Sequence, residues 1–186
     1  MHRKFLYAIS FIIIIFLGYT FFYLNEYDIK NQKSSIHSAL SKWENRGDGE
    51  EVKLEIIEMT QVDKTSSYII LYETEDENIG YAHLIKGWNE KFKILLSGSG
   101  TKIVTYRDIK TNHGMYGIVV GKNPDLKIHH IIVKSENNAF SFNLNISENE
   151  KFLAYRKLPN DLEETYLSEI IFYDENEKVI FNPLKE

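Results

Sequence analysis

SGSGTK, residues 97–102 of this 186-residue chain, comes nearest to a phosphate cradle. A P-loop needs G-x-x-x-x-G-K-S/T between a strand and a helix, so that backbone amides and a lysine surround the phosphates. Here Thr101 separates Gly100 from Lys102, and the residues that follow read as a strand. A flexible inter-strand connection is therefore expected. Ser99 does not fit a nucleophile elbow either, because Ser97 stands where that turn requires glycine.

Six histidines invite a search for metal ligands. His129 and His130 are adjacent on an expected strand, so their rings should point to opposite faces and cannot share an ion. His83, His113 and one of that pair could meet only through tertiary structure. Acidic turns at Glu75–Asn78 and Asp174–Glu177 lack the D-x-D-x-D-G spacing of a calcium loop and read as solvated hairpin ends. Among 27 acidic residues none is singled out by its neighbours for acid–base work. Arg46-Gly47-Asp48 spells a cell-attachment tripeptide, but it serves as a helix stop and a turn. No catalytic residue, metal or cofactor is assigned.

The most suggestive group is aromatic. Tyr81, Trp88, Phe92, Tyr106 and Tyr116 fall in consecutive expected strands, with Arg107 among them and Lys86, Lys110 and Lys122 nearby. Rings beside cations suit a glycan, a peptide or an anionic wall polymer. The same rings would also stabilise an exposed sheet by cross-strand pairing. Tyr81, Trp88, Phe92, Tyr106, Arg107 and Tyr116 form the candidate ligand site.

The elements that must position these residues follow from hydrophobic period. SSIHSALSKWENR (34–46) places Ile36, Ala39, Leu40 and Trp43 on one helical face, with Ser34 or Ser35 as N-cap and Gly47 as stop. That face is expected to pack on the domain behind it rather than on lipid or a partner. From Val52 the period shortens. Strands are expected over 52–59, 67–73, 81–88, 91–96, 103–107, 115–120, 127–134, 140–145, 151–158, 169–174 and 179–181. A tight hairpin is expected at Asn89-Glu90 and a helical turn within 159–166. The connections are too short for parallel crossovers, so an antiparallel β meander, folded into a sandwich or open barrel, is the expected architecture. The class is mainly β (α+β), with one short amphipathic helix and no repeat. One domain is expected, with Asn123-Pro124 as the place where a second could begin.

Phe5–Leu24 carries no charge and is long enough, at about 1.5 Å per helical residue, to cross the roughly 30 Å hydrocarbon core of a bilayer. Tyr19, Phe21, Phe22, Tyr23 and Tyr27 gather at its far end, where amphipathic rings favour the headgroup layer. The run exceeds a secretory signal's apolar region and lacks a good small-x-small cleavage site, so a retained signal anchor is expected rather than a cleaved leader. Arg3 and Lys4 precede it and Glu26 and Asp28 follow, which puts the N-terminus in the cytoplasm and the bulk outside. The expected organisation is a cytoplasmic tail 1–4, a transmembrane helix 5–24 in membrane lipid, a tether 25–33 and an extracytoplasmic domain 34–186.

Beyond residue 24 the chain has 20 Lys and Arg against 27 Asp and Glu, a net charge of −7 that argues against nucleic acid. With no cysteine there are no disulfides or thiolate metal sites.

GYAHLIKGWNEKFKIL (80–95) and GIVVGKNPDLKIHHIIV (117–133) resemble stretches of small single-pass or secreted envelope proteins of Gram-positive bacteria, which carry a β-rich outer domain. The resemblance implies a location at the cell envelope and no catalytic residues. Two functions are expected from these features. One is a membrane-anchored accessory protein that binds an envelope polymer or a membrane protein. The other is a cell-envelope hydrolase using carboxylates or histidine.

Overall fold

The computed structural model describes residues 2–47, 49, 51–101, 103–135, 139–146, 148–159, 162 and 168–181. Asp48 of the tripeptide, Lys102 and most of the turn expected over 159–166 lie outside them. The chain is mainly β, with antiparallel sheets and an N-terminal apolar helix. α1 is His2–Glu26 and α2 is Lys33–Glu44. The strands are β1 Leu54–Gln61, β2 Ser67–Thr74, β3 Ile79–Lys86, β4 Phe92–Gly100, β5 Val104–Thr111, β6 Gly114–Lys122, β7 His130–Ser135, β8 Ser141–Asn145, β9 Lys151–Lys157, β10 Ser168–Tyr173 and β11 Val179–Phe181.

These strands form three sheets, ordered β1-β2-β3-β4, β5-β6-β9 and β11-β10-β7-β8, and every pairing is antiparallel. The expected single meander therefore holds only through β4. Beyond β6 the chain passes to the third sheet, returns as β9 to pair with β6, and crosses again as β10 to pair with β7. Hydrophobic period tells a strand from a helix but not which earlier strand it joins.

Side-chain alternation assigns each face to a core. On β2, Ile69 and Leu71 point one way and Ile70 and Tyr72 the other, and all four are buried. Ile70 and Tyr72 join Ala82, Leu84 and Phe92 against Ile36 and Leu40 of α2. Ile69 and Leu71 join Tyr81, Tyr116, Ile118 and Val120, so the opposite face of the first sheet packs on the second. Val119 and Phe152, on the other face of the second sheet, pack with Ile131, Val133, Leu144 and Phe172 of the third. Strands covered on both faces carry near-continuous apolar runs, as β2 and β6 do.

Asn123 marks the passage from the second sheet to the third. Fully buried, its amide donates to the carbonyls of Ile128 (2.8 Å) and Ile146 (3.3 Å) and accepts the Ile128 N–H (2.8 Å). Asn45 does similar work after α2, donating to the carbonyls of Ser41 (2.8 Å) and Val52 (2.9 Å) and so tying the helix end to the approach to β1.

Candidate membrane-proximal site

α1 is long and apolar enough to cross a membrane, and no residue of its apolar window is buried in the fold. Its far end is fastened to the β3–β4 hairpin. Tyr19, Tyr23 and Tyr27 recur at four-residue spacing, which places them along one face. Tyr23 stacks on Tyr27 with ring centres 4.4 Å apart and on Trp88 at 5.0 Å. The Trp88 backbone N–H donates to the Tyr23 hydroxyl (2.9 Å), and the Asn89 amide donates to the Tyr27 carbonyl (2.9 Å). Lys93 on β4 pairs with Glu26 (2.8 Å) and lies 5.0 Å over the Tyr27 ring. The hydrogen bond to Glu26 holds the Lys93 amine above its ordinary range. Ile29 and Phe92 exchange backbone hydrogen bonds of 3.1 and 2.8 Å. Residues 25–33, expected as a tether, thus carry an ion pair and a β-bridge to the first sheet.

Gly87 permits this approach. A Cβ there would stand 2.5 Å from the Tyr23 hydroxyl and 2.6 Å from the Tyr27 ring. The turn itself runs Gly87-Trp88-Asn89-Glu90-Lys91, with the Gly87 N–H bonded to the Lys91 carbonyl and the Glu90 N–H to the Gly87 carbonyl. Trp88 therefore sits in the turn, not at the end of a strand as expected, because β3 stops at Lys86.

Beside this junction lies a cleft of about 530 Å³ between α2, the helix exit and β4. Ile29 and Leu95 supply apolar lining, Lys42, Arg46 and Lys93 supply cations, and Glu26, which pairs with Lys93, and Asp28 supply carboxylates. The Arg46 guanidinium lies 3.9 Å over the Trp43 ring, and the buried Trp43 Nε1–H has no acceptor among the described residues. Lys42 and Arg46 beside an apolar floor can hold a group that joins negative charge to an apolar body.

The six sequence-predicted residues do not share one surface. Tyr81 and Tyr116 are buried between the first two sheets, and Phe92 lies in the core under α2. Tyr106 packs on the core between the second and third sheets. Arg107 is exposed and donates to the Tyr81 hydroxyl (3.1 Å), so Tyr81, Arg107 and Tyr116 come to one cluster. Tyr116 donates to Asp63 (2.7 Å); burial, then that carboxylate, push its phenol up to about 12. Trp88 alone presents its ring to solvent. What period could not separate is a ring used in packing from a ring free to bind. The membrane-proximal residues had a legible sign, the four-residue tyrosine spacing.

Histidine geometry departs from expectation in one respect. The Nδ1 atoms of His129 and His130 lie 3.4 Å apart. His129 precedes β7 and so escapes strand alternation. No group of three or more potential metal ligands occurs among the described residues. His129 also borders a cleft of about 570 Å³ with Asp125, Asp174 and Glu175. Two of those carboxylates are already engaged. Asp125 pairs with Lys127 (2.8 Å), and Asp174 accepts the backbone N–H groups of Asn176 and Lys178.

Set against protein-family models, curated proteins and solved structures, the chain matches none.

Proposed function

We propose that this chain is a single-pass, membrane-anchored accessory protein. Its N-terminus is cytoplasmic, its β-rich domain (34–186) is extracytoplasmic, and it binds an envelope component or a membrane-protein partner at the membrane-proximal cleft. The observation that carries the reading is the fit between the end of α1 and the folded domain, through Tyr23 on Trp88, Glu26 on Lys93 and Ile29 on Phe92. A leader removed through Leu24 would take Tyr23 away, leaving the room at Gly87 unfilled on that side and the Trp88 N–H without the hydroxyl it donates to. Retention makes these contacts permanent. The first two sheets are each covered on both faces and the third on one, which favours a layered sandwich over an open barrel, and Ile36 and Leu40 give α2 one inward apolar face.

The absence of cysteine makes the reading simple to test, because any introduced thiol is unique. Glu77→Cys should react with a membrane-impermeant maleimide on intact cells, and Lys4→Cys only after permeabilisation. The opposite pattern, or mature protein beginning past Leu24, overturns the placement. For binding, a photo-crosslinking residue at Leu95, in the cleft, should give a discrete adduct in native membranes that the same residue at Glu77 does not. Turnover of a wall polymer by the purified protein, abolished by one substitution, would replace this reading with that of a hydrolase.

A further inference from the structure

We infer that the β3–β4 turn is a second membrane contact, with the Trp88 ring seated in the lipid headgroup layer beside Tyr23. The inference rests on the anchoring reading above and adds a surface that the helix alone does not supply.

Depth is the first argument. Phe5–Leu24 covers about 30 Å as a helix, so a bilayer that accommodates it places Tyr23 at the edge of the hydrocarbon. Trp88 is stacked on Tyr23 at 5.0 Å and held there by its own N–H on the tyrosine hydroxyl. It must share that depth. Exposure is the second. At 65% Trp88 is the most exposed large hydrophobic residue outside α1 among the described residues, where the other described rings are buried or half-buried.

The third argument concerns the turn's own polar groups. Entering the headgroup layer is costly for unpaired backbone. Here the Gly87 and Glu90 N–H groups are bonded within the turn, the Asn89 amide is bonded to the Tyr27 carbonyl, and Lys86 is paired with Glu90. Glu90 stays largely exposed to water despite that pairing, and the turn's apolar surface is the indole, whose flat body and single N–H suit the boundary between acyl chain and phosphate. The occupant of this surface is therefore lipid. With two contacts the domain is held at one tilt, and the cleft beside Lys93 is kept against the bilayer.

The test uses the full chain in vesicles of phosphatidylcholine and phosphatidylglycerol. Trp43→Phe leaves Trp88 as the sole tryptophan of the two in the chain. Its emission should be blue-shifted, shielded from acrylamide, and quenched about two-fold more by a nitroxide near the headgroup than by one near the acyl terminus. The second reading leaves Trp43 in place. Trp88→Cys carrying a nitroxide should show interfacial accessibility, intermediate between oxygen and a water-soluble nickel chelate. A water-like indole, open to acrylamide and indifferent to lipid-borne quencher while the chain still floats with vesicles and resists carbonate, overturns this inference and leaves the anchor standing. Extraction of the chain by carbonate overturns both.

Discussion

The ring of Tyr72 on β2 lies across Gly80, its paired residue on β3, and occupies the space a side chain at position 80 would need. Tyr72 is fully buried in the core under α2, so the ring has nowhere to retreat. Gly80→Ala should therefore cost about 2 kcal/mol by overpacking. Urea unfolding of the full chain in detergent measures it. A change below a few tenths would mean that the ring moves freely and that this core is not close-packed.

Three hairpins share one turn geometry and put glutamate where glycine is favoured. Glu77, Glu90 and Glu177 have φ of 58°, 61° and 60°. In each, the residue's N–H bonds to the carbonyl three positions back, at Thr74, Gly87 and Asp174. A left-handed backbone costs an L-residue roughly 1 kcal/mol that glycine avoids. Glu77→Gly and Glu177→Gly should each stabilise the fold by about 0.5–1 kcal/mol, a gain reduced by glycine's larger unfolded-state entropy. Glu90→Gly should gain less, because Glu90 also pairs with Lys86. The order of the three melting temperatures is the readout, and destabilisation by the first two would refute the strain argument.

The same turns show what the sequence could and could not reveal. Alternation located the strands to within a few residues, since a half-buried strand repeats every two positions. FSFNLN became β8, with Leu144 inward and Asn143 outward. On α2, Ile36 and Leu40, four residues apart, are the buried pair. What alternation could not carry was pairing across distance. β9 lies beside β6 because Ile118 and Tyr155, and Val119 and Ala154, meet there, a match decided by shape and not by period. The candidate site suffered for the same reason. A list of rings says nothing of which core each enters, whereas Tyr19 and Tyr23 lie on α1 with Tyr27 just past its end, and their spacing alone aligns them.

Asn123 should be the least replaceable polar residue of the switch between the second and third sheets. Its amide makes three hydrogen bonds in a fully buried position, and its backbone N–H donates to Glu150 (2.7 Å). Asn123→Ala leaves one amide and two carbonyls short of partners, at a cost of about 2–3 kcal/mol. Asn123→Asp should be worse, since a carboxylate cannot donate to the Ile128 and Ile146 carbonyls and would be charged there. Hydrogen exchange should place the loss in β7 and β8 before β2 and β3. Uniform loss of protection would instead mean that the sheets unfold as one unit.

His83 provides a pH-dependent prediction with a definite sign. Its ring is buried (1% exposed), and its Nε2 lies 2.9 Å from the Ser67 hydroxyl, on the face between the first two sheets. Burial disfavours the charged imidazolium and lowers its pKa from 6.5 to about 4. Above pH 6.5 the ring is neutral in both folded and unfolded chains and the stabilisation is complete. As pH falls from 6.5 to 4, the unfolded chain takes up a proton that the folded chain refuses, so stability declines through that window by about 3 kcal/mol in all. Below pH 4 both states are protonated and the decline from this group stops. His83→Gln keeps a hydrogen-bonding partner for Ser67 but cannot titrate. Subtracting its unfolding free energy from that of the unsubstituted chain at each pH removes the contribution of the other ionisable groups. The difference should be level above pH 7 and slope downward to pH 4. A difference that stays level throughout would mean that the imidazole is reached by water and charges freely within the fold.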